Sequence, residues 1–146
     1  MSSAGFLSTS VRKALALAQS GSLWFFSTGA GCCADEVITS VGCRYDLERF
    51  GAAEEHNPSR ADLLIINGIV TPKAAPEIRA AFESMSEPRY VMAVGACACS
   101  GGLFQAQSAA DVIPVDVFVP GCPPRPEAIM NGLITLQEKI VGAHRA

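Results

Sequence analysis

Charge is scarce in this sequence. Charged residues fill 17% of its 146 positions, against ~25% in ordinary soluble domains, which implies that partners cover much of the surface. Basic charge is not in excess either. Eleven Lys and Arg face fourteen Asp and Glu, a formal charge of -3, and this argues against a nucleic-acid module. No apolar run approaches the ~20 residues that span a bilayer. The longest candidates, Leu63–Ile66 and Val91–Val94, are strand-sized. The N-terminus lacks the ordered basic, apolar and cleavage regions of a signal peptide. Residues 1–20 carry Arg12 and Lys13 among Ala and Leu. They suit a short amphipathic segment lying on a membrane or partner, or an ordinary surface helix.

Histidine is limited to His56 and His144, in an expected loop and tail. Neither can join a Ser/His/Asp or Cys/His catalytic set with the cysteine loops. The glycines at Gly95, Gly101 and Gly102 match neither G-x-G-x-x-G nor a P-loop, so nucleotide binding is not expected. What the chain does have is 49% hydrophobic residues, which excludes disorder for most of it. Its length fits one domain, residues 1–146.

Apolar runs alternate with helical stretches. Strands are expected at Ser22–Thr28, Ala61–Val70, Tyr90–Val94 and Val115–Val119. A short helix is expected at Ala34–Val41, and Arg44–Phe50 reads as a connector or helical turn. Another helix is expected from Thr71-Pro72, or from Pro76, to about Met85. The stretch Ala96–Gly102 reads as a small-residue loop. A last helix from Pro126 or Glu127 to about Val141 aligns Ile129, Leu133, Leu136 and Ile140 on one face. Such alternation predicts a flavodoxin-like α/β fold, an open and mostly parallel sheet with helices on both faces.

Six cysteines without an export signal are not a disulfide framework. Cys32 and Cys33 follow the first expected strand, Cys97 the third and Cys122 the fourth. Right-handed crossovers bring these strand ends to one edge, where doubly wound sheets bind ligands. Four thiolates there suit tetrahedral zinc or a [4Fe–4S] cluster. Zinc sites usually pair cysteines as C-x2-4-C, and this chain has no such double pair. A cluster tolerates dispersed ligands, and Gly31, Gly95 and Gly121 allow backbone N–H groups near sulfur. Prolines around Cys122 stiffen its loop. Cys43 and Cys99 fit the role of small buried hydrophobes.

Several motifs carry a family resemblance. They are Ser22-Leu23-Trp24, Cys32-Cys33-Ala34-x-Glu36, Arg44-Tyr45-Asp46-Leu47-Glu48-Arg49-Phe50-Gly51, Ala61-Asp62-Leu63-Leu64, Gly95-Ala96-Cys97-Ala98 with Ser100-Gly101-Gly102, and Val117-Phe118-Val119-Pro120-Gly121-Cys122-Pro123-Pro124-Arg125-Pro126-Glu127. Together they resemble the B subunit of NADH–quinone oxidoreductase (respiratory complex I), over about residues 22–140. The resemblance implies one [4Fe–4S] cluster held by Cys32, Cys33, Cys97 and Cys122. It implies an electron relay from a ferredoxin-like iron–sulfur subunit to quinone, at the interface with a hydrogenase-like large subunit. Membrane subunits complete such a complex, an ion-translocating oxidoreductase, and this chain would sit peripherally on the cytoplasmic side of the cell membrane. The family is related to the small subunits of nickel–iron hydrogenases. Those usually space their first ligands as C-x-x-C, whereas Ala30 stands three before Cys33 here.

The sequence departs from the complex I pattern at Asp35, at the Gly-rich run Ser27–Gly31, and at Cys43 and Cys99. A complex I-related membrane hydrogenase or sulfur-reducing complex is therefore the alternative. A flavodoxin-like binding module with structural zinc is a third reading. Glu36 and Asp35, beside the cysteine pair, are candidates for coupling proton uptake to cluster reduction. Each could instead complement a helix dipole. Arg44, Tyr45, Asp46 and Arg49 are candidate partner or acceptor contacts, or a solvated connector. Arg125 could raise the cluster potential or anchor a partner.

Overall fold

A computed structural model describes residue 11 and residues 14–143. The segment carrying Arg12 and Lys13, and His144, lie outside the described residues, apart from a helical stretch α1 over residues 14–20. Five strands follow: β1 (Leu23–Ala30), β2 (Ala52–Glu54), β3 (Leu63–Gly68), β4 (Tyr90–Val94) and β5 (Val117–Val119). The helices are α2 (Cys32–Val41), α3 (Ala75–Ser84), α4 (Ala96–Ser100) and α5 (Pro126–Ala143).

The strands form one parallel sheet in the order β2-β1-β3-β4-β5. That order is the flavodoxin-like one, and the parallel sheet with helices on both faces agrees with the fold class expected from the strand–helix alternation. Every residue of β3 is buried, because helices cover both sides of the sheet. Side chains alternate across it. Leu63 and Ile65 join Val37 of α2 and Ile129, Leu133, Leu136 and Ile140 of α5 in one core. Leu64 and Ile66 join Ile78 of α3 and Ala98 of α4 in the other. Each fully buried Leu or Ile stabilises the fold by roughly 1.5–3 kcal/mol. Gln137 on α5 donates from Nε2 to the Phe50 carbonyl at 2.6 Å, tying α5 to a 3-10 turn at Leu47–Phe50.

Four details differ from the sequence expectation. β2 was not expected, since three residues reading AAE carry no apolar signature. Cys97 and Cys122 therefore follow the fourth and fifth strands rather than the third and fourth. α2 begins at Cys32, not Ala34, because Gly31 with φ 91° turns the chain directly from strand to helix. The expected loop at Ala96–Gly102 is a helical turn, α4, since no Gly or Pro interrupts residues 96–100. α3 starts at Ala75, leaving Thr71-Pro72 in a preceding turn. There Thr71 Oγ1 accepts from the Ala74 N–H at 3.1 Å. Pro76 sits in the first helical turn, where its missing N–H costs nothing.

Candidate metal centre

The C-terminal ends of β1, β4 and β5 supply the cysteines. Cys32 and Cys33 are the first two residues of α2 and Cys97 is the second of α4. Cys122 lies in the loop after β5, and the Cys122–Pro123 peptide bond is cis. β4 and β5 stay locked beyond their last rungs: Gly95 N–H donates to the Val119 carbonyl at 2.8 Å, and Ala96 N–H to Gly121 at 2.7 Å. Cys33 and Cys97 are buried, whereas Cys32 and Cys122 are exposed. The site is thus open on one side.

The thiols sense one another. Burial pushes the Cys33 thiol up to about 11, helped by the charges of Cys32 and Cys97, while the Gly68 backbone N–H bonds to it and pulls the other way. Burial raises Cys97 as well, and Cys122 and Cys32 add to it. All four are therefore linked in one electrostatic group. Among the described residues, no three thiol, imidazole or carboxylate groups converge closely enough for a single metal ion. Cubane irons sit at separate corners, so thiolates around a cluster stand wider apart than those around one ion.

The donor set fits such a group. Cationic iron relieves the mutual repulsion of four thiolates, and binding draws off their protons. The N-terminus of α2 adds a positive dipole end. Gly95 leaves room that a side chain would fill, since a Cβ there would collide with the Cys33 sulfur. A Cβ on Gly102 would press on the Cys97 sulfur at 3.0 Å.

The remaining cysteines stand apart. Cys43 is exposed in the turn after α2, so it is not the buried hydrophobe expected. Cys99 is half-buried and its thiol points back into the sheet, donating to the carbonyls of Ala93 (3.6 Å) and Val119 (3.7 Å). Asp35 is exposed and Glu36 half-buried on α2. Arg44 lies over the Tyr45 ring, 5.5 Å from its centroid. Asp46 is half-buried, and Arg49 and Arg125 are exposed. His56 is exposed in the loop after β2.

Sequence reasoning did not single out Asn67 or Gly68, and it noted Ser27 only as the start of the run Ser27–Gly31. Asn67 is buried in β3 and donates from Nδ2 to Ser27 Oγ at 2.7 Å. An amide inside the apolar run LLIINGIV was the available signal.

Comparison with known proteins agrees with this architecture. A family model described as the 20 kDa subunit of NADH–ubiquinone oxidoreductase matches residues 30–136. The chain is 48% identical to the B subunit of NADH-quinone oxidoreductase from Desulfovibrio desulfuricans, over 84% of this chain and 69% of that protein. It is 44% identical to the same subunit from Rhodococcus opacus, over 97% and 82%. Among solved structures, it is similar to a chain of the membrane-bound sulfane sulfur reductase, an archaeal respiratory membrane complex. The TM-score is 0.81 at 39% identity, covering 89% of this chain and 76% of that one.

Proposed function

Because this chain belongs to the family of the 20 kDa subunit of NADH–ubiquinone oxidoreductase, we propose that it is the terminal electron relay of a membrane-bound, ion-translocating complex. In this reading Cys32, Cys33, Cys97 and Cys122 hold one [4Fe–4S] cluster, which supplies one-electron transfer. The observation that carries the reading is the placement of four cysteines just past the C-terminal ends of β1, β4 and β5, along one edge of the parallel sheet. The chain's own residues hold the group and exclude water from its inner side through buried Cys33 and Cys97. They leave its outer side, at Cys32 and Cys122, facing a partner.

Residues 1–146 act as one electron-transfer unit. Electrons arrive from a ferredoxin-like subunit and leave for quinone at the interface with a hydrogenase-like large subunit. Exposed apolar side chains support such an interface: Leu103 is 89% exposed, Ile38 68% and Phe104 66%. Large apolar groups open to water suit surfaces that partners cover. No helix among the described residues is long and apolar enough to cross a membrane. The proposed attachment is peripheral, on the cytoplasmic side and through membrane subunits. Asp35 and Glu36 are proposed as the proton-coupling pair beside the cluster.

A second reading is favoured by one observation, the similarity to a chain of the sulfane sulfur reductase. In that reading the acceptor is a sulfur compound, or protons, rather than quinone. Purified intact assembly decides between them. About four iron and four acid-labile sulfide per copy of this chain are expected in addition to those of the ferredoxin-like subunit, and turnover is assayed with quinone, polysulfide and protons as acceptors. Quinone turnover supports the first reading and polysulfide or proton turnover the second. An assembly without iron and sulfide overturns both.

A further inference from the structure

β1 and β3 pair in register to their last residues, Gly29 with Asn67 and Ala30 with Gly68. Beyond these rungs both chains turn. Gly68 has φ +76°, and Gly31 opens α2. The two ends carry different halves of one contact. α2 carries Cys33, and Gly68 offers its N–H to the Cys33 sulfur. Whatever fixes the spacing of the two strand ends fixes that contact.

Asn67 spans the two strands. Its Nδ2 reaches Ser27 Oγ of β1 at 2.7 Å. It can do so because Gly29 has no side chain, as a Cβ there would collide with both the carbonyl and the Oδ1 of Asn67. Asn67 is 2% exposed, and its Oδ1 is buried with no hydrogen-bond partner. A buried amide with an unpaired oxygen is costly in a strand that otherwise packs apolar side chains. An apolar residue would serve the core better, so packing does not account for Asn67.

We propose that Asn67 is a positioning residue that sets the reduction potential of the cluster. Its amide, bonded to Ser27, acts as a side-chain rung that holds the Gly68 N–H against the Cys33 sulfur. Hydrogen bonds to cluster sulfurs favour the reduced, more negative state and raise the potential. The inference rests on Cys33 being a cluster ligand.

The test is a redox titration of the intact assembly followed by electron paramagnetic resonance. Wild type is compared with Asn67→Ala, Ser27→Ala and Ser27→Thr. Asn67→Ala and Ser27→Ala should lower the reduced-to-oxidised ratio at a fixed poise several-fold. A full tenfold change corresponds to about 59 mV for one electron. Ser27→Thr keeps the hydroxyl and should restore the wild-type value, which a merely structural role would not require. If Asn67→Ala does not assemble, the two Ser27 variants decide. A wild-type cluster whose potential is the same in the variants overturns this inference and leaves the proposed function standing. A wild-type assembly without a cluster overturns both.

Discussion

The Cys33 sulfur lies so close to Gly95 that no side chain can stand between them. Gly95 also has φ +95°, a conformation that costs a residue with a Cβ about 1–3 kcal/mol. Two independent demands therefore meet at one position. Gly95→Ala should displace Cys33 and lower iron content well below wild type in assembly prepared in parallel. Iron content equal to wild type would mean that the helix carrying Cys33 shifts without loss.

The ligand set makes a sharper prediction. Thiolate brings charge and covalency to iron, and serine replaces it poorly. Cys32→Ser, Cys33→Ser, Cys97→Ser and Cys122→Ser should each abolish or reshape the cluster resonance. Cys43→Ser and Cys99→Ser should leave it nearly unchanged, because Cys43 sits in a separate turn and the Cys99 thiol faces the sheet. A resonance lost with Cys99→Ser and kept with Cys97→Ser would reverse the choice within that pair.

The iron-depleted chain, separated from its partners, should show the thiol environment directly. The thiolate is the nucleophile in alkylation. Cys33 is held protonated until about pH 11, chiefly by burial, so at pH 8 it should react far more slowly with iodoacetamide than exposed Cys122 does. Its rate should climb about tenfold per pH unit and level off only near pH 11. Peptide mapping by mass spectrometry reads both rates. Equal rates at pH 8 would contradict the buried, charge-crowded position of Cys33.

Much of this was legible in the sequence because local rules and the fold agree. The apolar runs at Leu63–Ile66 and Val91–Val94, bounded by turn residues, read as buried strands, and the spacing of Ile129, Leu133, Leu136 and Ile140 marked the inner face of α5. Glycines and prolines punctuated the cysteine loops. β2 stayed invisible because an edge strand of three residues is made by pairing with β1, not by its own composition. The helical start at Cys32 was hidden for a similar reason. Gly31 usually reads as a break, yet here its positive φ lets the helix begin at once. The Asn67–Ser27 contact joins residues far apart in sequence, and only strand register brings them together.

Glu36 offers the last test, of whether this chain couples protons to electrons. It lies one helical turn beyond the cysteine pair, half-buried, while neighbouring Asp35 is exposed. Among the described residues no cation pairs with it. A reduced cluster nearby adds negative charge, and added negative charge favours a proton on a carboxyl group. Uptake on reduction makes the midpoint potential fall as pH rises, because each proton becomes scarcer for the reduced state. Full one-proton coupling gives a slope of about 59 mV per pH unit. Glu36→Gln keeps the shape and removes the ionisable group, so its slope should flatten when the redox titration of intact assembly is repeated at several pH values. An unchanged slope assigns the proton elsewhere, first to Asp35 and tested by Asp35→Asn. A wild-type potential independent of pH would make the chain a plain electron relay, with coupling arising in its partners.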